Sequence, residues 1–455
     1  MAGRRWRWHD PAMPSRLSFV KTALIALALT GVLAGCATLP SADPDIARAL
    51  ATADATSRLD LLRRQGEIIG GAPFVGGNSV TLLRSGTETY AAMDAAIDGA
   101  RTRIDMESYE FDGVEGSRFA EKLVAKRAQG VEVNLIYDAW GSQDTPKEVF
   151  DRLRQDGVNL LVFNPVDPAT LLTLDVNRRD HRKLLIVDDA VAIVGGVNIS
   201  EVYDRRHHAG AGAENQDPEQ RPWRDTDVRI AGPVVAEFQR LYAETWDQQR
   251  QAQGPDATPA LNAPPPVPRT RPGDIVLQAL SGAPTEGRPL IYRSLLVAIT
   301  LARKSIHLTT GYFVPTPDLA RALRQAAGRG VDVTVLVPGP SDSPLSVMAG
   351  RGYYSDLLAA GVHIYEYADA ILHAKTAVID GDWSTVGSSN LDWRSVAFNN
   401  EINAVVLGAG FGQEMEAMFQ HDLTHARAIE PEAWRHRGLD ERLGEWGARL
   451  VEEVL

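Results

Sequence analysis

The stretch HRKLLIVDDAVAIVGGVN, from His181 to Asn198, returns 192 positions later as HAKTAVIDGDWSTVGSSN, from His373 to Asn390. In both, a lysine stands two residues after the histidine (Lys183, Lys375), an aspartate seven (Asp188, Asp380) and an asparagine seventeen (Asn198, Asn390). Chance rarely reproduces three polar spacings on one apolar frame, so the chain is internally duplicated. The apolar runs Leu184–Val187 and Thr376–Ile379 predict a strand in each copy. Alternation then puts His and Lys on one face, imidazole and ammonium aimed at a single anion. Glycine in Gly195-Gly196 and Gly387-Ser388 lets the backbone approach a phosphate, and asparagine donates an amide hydrogen bond. Two such halves, face to face, carry the equipment for phosphoryl transfer through a covalent histidine intermediate. The lysines and asparagines neutralise the transition-state oxygens, so the chemistry calls for no metal and no cofactor.

Outward from these motifs the duplication continues. Ala302–Leu308 (ARKSIHL) matches Ala100–Met106 (ARTRIDM), and Arg329–Val335 (RGVDVTV) matches Gln129–Leu135 (QGVEVNL). Strands are predicted at Val80–Leu83, Ile104–Tyr109 and Val131–Tyr137, and helices at Glu88–Ala100 and Gly113–Gln129. Strands alternating with helices predict an α/β fold, each repeat a mostly parallel mixed sheet flanked by helices. The expected organisation is a signal peptide over 1–35, a tether with a helix over 36–79 and a first repeat over 80–250. A proline-rich linker follows over 251–273, then a second repeat over 274–430 and a C-terminal helix on the outer surface over 431–455.

The N-terminal segment reads as an address. Arg4, Arg5, Arg7, Arg16 and Lys21 precede the short apolar run Thr22–Leu33, which ends in Leu33-Ala34-Gly35-Cys36. The run is too short for a spanning helix and suits a signal peptide, with Met1 or Met13 as the start. Leu-Ala-Gly-Cys resembles a bacterial lipobox, which implies lipidation of Cys36 and a lipid-anchored protein on the periplasmic side of the cell envelope. In the bacterial lipoprotein sorting pattern, Ala37 after the cysteine resembles the signal for the outer membrane over the inner. Cys36 is the only cysteine, which excludes a disulfide framework within one chain. The remaining composition is that of an ordinary globular protein, 44% hydrophobic and 23% charged, and a formal net charge of −12 argues against a nucleic-acid partner.

The paired pattern His-x-Lys-x4-Asp, followed by Gly-Gly or Gly-Ser and Asn, resembles the phospholipase D superfamily over about residues 80–430. Within it the chain is most similar to bacterial cardiolipin synthases, through Trp223–Pro233 (WRDTDVRIAGP), Gly387–Ser395 (GSSNLDWRS) and the strand opened by Asn400-Glu401. The resemblance implies two homologous repeats with the active site at their interface, an anionic phospholipid as substrate, and a phosphatidyltransferase that joins two phosphatidylglycerols. Water as acceptor would make the same site a phospholipase D. A metal-independent phosphodiesterase or nuclease, and a silent envelope scaffold, are the alternatives; intact motifs speak against the last.

The resemblance implies that one histidine attacks phosphorus and the other serves as acid and base. The residues leave the order open, and the resemblance implies His181 as nucleophile and His373 as acid/base. Each imidazole needs an acceptor to fix its tautomer. Asp225 and Glu401, each near the start of a strand after its motif, are the candidates, with Asp227 competing for the first role. Asp188 and Asp380 read as structural, capping their strands or pairing with a neighbouring cation. Arg394 and Arg182 are candidate ligands for the substrate headgroup or phosphate.

Overall fold

The computed structural model describes residues 55–165, 177–204, 217–254, 258–262, 270–283, 287 and 289–454. The expected signal peptide and Cys36 lie outside the described residues. No described helix is long and apolar enough to cross a membrane.

The strands of the first repeat are β1 (Val75–Leu83), β2 (Arg103–Ser108), β3 (Glu132–Asp138), β4 (Asn159–Phe163), β5 (Leu184–Val187), β6 (Val191–Gly195) and β7 (Asp227–Ala231). Those of the second are β8 (Ile275–Gly282), β9 (Ser305–Thr309), β10 (Asp332–Pro338), β11 (His363–Tyr367), β12 (Thr376–Ile379), β13 (Trp383–Gly387) and β14 (Glu401–Leu407), with a short β15 (Ala426–Ala428) at the far edge. They form one continuous sheet in the order β15-β11-β10-β9-β12-β13-β14-β8-β1-β7-β6-β5-β2-β3-β4. Its two halves mirror each other about the antiparallel β1–β8 pair, where Val75 faces Leu277 and Asn78 faces Ile275.

The sheet is mixed, as expected, but its parallel part is smaller than the alternation of elements predicts. Only β2-β3-β4 and β9-β10-β11 run parallel. The motif strands β5–β6 and β12–β13 are hairpins closed by Asp188–Ala190 and Asp380–Asp382, and loops that short force antiparallel pairing. Helices Gly113–Ala128 and Pro317–Gly328 end before Gly130 and Gly330, at φ +91° and +87°. Glycine tolerates this left-handed turn, which feeds the chain into β3 and β10.

One apolar core crosses the seam. Leu82, Val228, Ile230, Phe238 and Trp246 of the first repeat pack with Leu277, Val378, Ile402, Val406 and Met415 of the second. The segment expected as a tether is also part of the fold. Its helix Ala55–Gly70 lies on the second repeat, and Gln278 Nε2 donates to the carbonyls of Gly66 and Ala72 at 3.0 and 2.7 Å. Buried Arg58 pairs with Asp380 at 3.1 Å and with Asp382. The first repeat therefore opens at Val75, not 80. Helix Val235–Gln253 runs into the expected linker, whose residues Pro259 to Asn262 are docked on the first repeat by Trp246 and Glu132. The C-terminal segment holds two helices, Pro431–Arg435 and Leu439–Arg449.

Candidate active site

The backbone joins the repeats at the histidines themselves. His181 N–H donates to Asn400 O at 2.9 Å, and Asn400 N–H to Arg179 O at 2.8 Å. Related contacts join His373 N–H to Arg224 O and Arg224 N–H to Ile371 O, both at 2.8 Å. The next residue after each of these partners carries the carboxylate. Glu401, following Asn400, holds Nδ1 of His181 at 3.0 Å. Asp225, following Arg224, holds Nδ1 of His373 at 2.6 Å. Each histidine is thus oriented by the other repeat. Glu401 is steadied by the hydroxyls of Ser388 and Ser395, which donate to it. At the position matching Ser388 stands Gly196, where a Cβ would lie 2.2 Å from Asp225 Oδ1. The carboxylate of Asp225 fills that space, and only glycine leaves room for it.

Both imidazoles line one cavity of about 360 Å³, together with Asn198, Asn390, Arg394, Tyr109, Glu110, Trp223, Tyr312 and Asp342. Lys183 and Lys375 lie buried beneath it, each ammonium donating to the carbonyl of its own motif's histidine. Because both carboxylates sit at Nδ1, each Nε2 is left to face the cavity. Burial, with Lys183 and Lys375 adding to it, holds His181 well below the usual imidazole range. Burial and Lys375 lower His373 as well, against Asp225. Burial brings Lys183 and Lys375 down to about 8, against the pull of Glu401 and Asp225. It pushes Glu401 up to about 7.

The aspartates of the motifs stand away from the cavity. Asp188 accepts backbone N–H groups from Arg101, Thr102 and Arg103 at 2.8–2.9 Å, and Asp380 accepts those of Arg303, Lys304 and Ser305. Both adopt left-handed backbone at φ +53° and +54°, which aspartate tolerates at a hairpin turn. Asp227 does not reach a histidine; its carboxylate accepts the Val197 N–H at 3.1 Å and braces the glycine turn.

Arg394 lines the cavity and makes no ion pair among the described residues. Arg182 does not line it. Its guanidinium is tied to Glu107, Thr245, Ser281 and the Glu401 carbonyl. Alternation explains the correction, since a residue between His181 and Lys183 points to the opposite face. Sequence reasoning missed Tyr203, whose hydroxyl is 3.1 Å from Nδ1 of His373 and accepts from Asn198 Nδ2 at 3.3 Å. It missed Tyr109, set edge-on to His181 with ring centres 5.2 Å apart. Neither belongs to the repeated pattern, so no spacing marks them.

The cardiolipin synthase, PLD-like domain family model matches residues 93–208 and 295–423, one match for each repeat. Cardiolipin synthase A of Pseudomonas putida (strain F1) is 34% identical over 391 residues, covering 85% of this chain and 77% of that one. The chain belongs to the PLD-like cardiolipin synthase family. A cardiolipin synthase of Geobacillus kaustophilus is 32% identical over 389 residues, 85% of this chain and 74% of its own. Among solved structures, phosphatidylserine synthase of Haemophilus influenzae covers 87% of this chain and 100% of its own at a TM-score of 0.63 and 15% identity, a likeness of fold. The two matches fall one in each mirrored half of the sheet, and the cavity is lined by residues of both halves.

Proposed function

We propose that this protein transfers a phosphatidyl group from one phosphatidylglycerol to the glycerol hydroxyl of another, releasing glycerol and forming cardiolipin. The observation that carries the reading is the crossed pairing of His181 with Glu401 and His373 with Asp225 around one cavity. Nε2 of His181, neutral and with its proton held at Nδ1, attacks phosphorus. The bond from phosphorus to the glycerol headgroup breaks, and protonated His373 gives its proton to the departing oxygen. The bound phosphodiester anion offsets Lys183 and Lys375 and favours that protonated form. The hydroxyl of the second phosphatidylglycerol then yields its proton to His373 and displaces His181 from phosphorus. Lys183, Lys375, Asn198 and Asn390 stabilise the charge on the non-reacting oxygens, and Arg394 meets the headgroup side. Asp225 and Glu401 fix the tautomers.

The reading includes an address. Lipidation at Cys36 would hold the enzyme at the cell envelope, on the periplasmic side and with the outer membrane favoured, and the Leu33–Cys36 motif supports this. The test is incubation of the full chain with phosphatidylglycerol vesicles, followed by lipid mass spectrometry. Cardiolipin and glycerol in equal amounts are expected. Phosphatidic acid alone would mean that water is the acceptor, and no product would overturn the assignment. A lipid-sized mass increase on Cys36, lost in Cys36→Ser, tests the anchor.

A further inference from the structure

Nine large apolar side chains stand exposed among the described residues; apart from Ile68, four follow the ends of parallel strands and four lie on or at the end of the last long helix. Val114 follows β2, Trp140 follows β3, and Leu345 and Met348 follow β10. These are the C-terminal ends of parallel strands, the same ends that supply Tyr109, Glu110, Ser343 and Ser346 to the cavity wall. The other four are Leu439, Leu443, Trp446 and Leu450, each 65–74% exposed. Their spacing of four, three and four residues puts them on one face of the helix Leu439–Arg449. The opposite face is anchored. Ala448 is buried with Val314 and Ala349, Glu445 pairs with Arg437 at 2.7 Å, and a methyl at Gly444 would stand 3.5 Å from Met348 Sδ. The helix is therefore packed on Met348 and Ala349, a turn from the cavity-lining Ser343 and Ser346, with nothing of the described chain covering the stripe.

We infer that this rim and the C-terminal helix lie in the interface of a phospholipid bilayer and present the cavity mouth to the lipid headgroups. The inference rests on the phospholipid reading of the site. The cavity, about 360 Å³ and lined by charged and polar side chains with the rings of Tyr109, Trp223 and Tyr312, is too small to take in two acyl chains. Drawing a whole diacyl lipid into water would expose every methylene, so the tails stay in the bilayer while the phosphodiester enters. An amphipathic helix with Leu and Trp on one face, packed a turn from residues of the cavity wall, suits that arrangement. The polar side carries both signs, Arg442 with Asp440 and Glu441, so apolar burial and not net charge drives the docking.

The test uses the full chain with Cys36→Ser, which removes the lipid anchor, and an environment-sensitive fluorophore at Leu443→Cys or, on the side away from the stripe, at Glu441→Cys. On phosphatidylglycerol vesicles the probe at 443 is expected to brighten several-fold and shift to the blue, to be quenched by acyl-chain-brominated lipid, and to persist in 0.5 M salt. The probe at 441 should not change. A second arm compares Leu443→Glu/Trp446→Glu with the parent. Its KM for vesicle substrate should rise about tenfold or more, with turnover of monomeric short-chain phosphatidylglycerol unchanged. Equal responses at 443 and 441, or none, overturn the proposal. So does a response without lipid that grows with protein concentration, which would mean a second copy covers the stripe. An inserted probe without turnover of either substrate would leave the surface standing and remove the functional reading. Normal turnover with an inert probe would do the reverse.

Discussion

Asp225 Oδ2 lies 2.6 Å from Nδ1 of His373, although the two residues belong to different repeats. The same holds for Glu401 and His181. The tautomer of each catalytic imidazole is therefore set from outside its own motif. Asp225→Asn keeps the volume and loses the charge that orients His373. It should lower kcat by about 100-fold or more, within the range attributed to a positioned acid and base, with KM little changed. Steady-state kinetics on phosphatidylglycerol vesicles checks this; a change confined to KM would remove the role.

The two histidines are separable by trapping. With labelled substrate and an alkaline quench, His181→Ala should give no labelled protein. His373→Ala should accumulate label when the leaving group is good enough to depart unprotonated. Peptide mapping that finds the label on His373 in the unaltered enzyme would reverse the order of roles.

Activity should fall on the alkaline side near pH 8. Burial holds Lys183 and Lys375 at about 8, so the working ammonium groups lose their charge as pH rises through that value. The neutral, depressed imidazole of His181 should keep the nucleophile competent below the ordinary imidazole range. A pH profile of kcat/KM, which reports groups of the free enzyme, reads both limbs, and an alkaline limb above pH 10 would contradict the lysine argument.

Asp188 is a stability residue. Burial raises its carboxyl, but the hydrogen bonds from Arg103, Thr102 and Arg101 outweigh that and leave it below the usual aspartate range. The sign follows: the unfolded state binds the proton first, so this stabilisation is present at neutral pH and lost as pH falls through the folded value. Asp188→Ala should cost about 2 kcal/mol at pH 7, by loss of charged hydrogen bonds, and less at low pH. Thermal unfolding across pH tests it.

Arg58 tests the role of the leading helix. Arg58→Met leaves Asp380 and Asp382 without their buried cation. A loss of about 3 kcal/mol is expected from breaking such a pair, read as a lowered melting temperature. An unchanged melting temperature would mean the helix is an ornament on the second repeat.

Much of the site is legible because its geometry is local. His181 and Lys183 share a face by strand alternation, and β5 and β12 span the very runs that predict them. The crossed carboxylates are partly legible, since Asp225 and Glu401 stand out near strand starts, but which histidine each meets depends on backbone contacts across the seam. Alternation also argues against Arg182 as a ligand, yet its charge beside the motif suggests the opposite. The joining of β1 to β8 has no signature, because backbone hydrogen bonds between distant strands impose no residue type. Tyr203 reaches His373 from a single turn of helix, Glu201–Tyr203; 192 positions on, the second half has the helix Trp393–Ala397, where Ser395 replaces the tyrosine and donates to Glu401 instead.

The β1–β8 seam has a consequence for biosynthesis. Val75 finds its partner Leu277 only after the whole first repeat and the linker have been made. At about 5–20 residues per second the emerging chain waits on the order of ten seconds or longer with that strand edge bare. During this wait the inner face of β1 also lacks Leu277, Ile402 and Val406 to cover it. An unpaired edge beside uncovered apolar surface is a template for aggregation. A ribosome stalled between the repeats, or a protease cutting there before the second repeat has folded, would leave a fragment with this edge exposed, a natural client for holding chaperones.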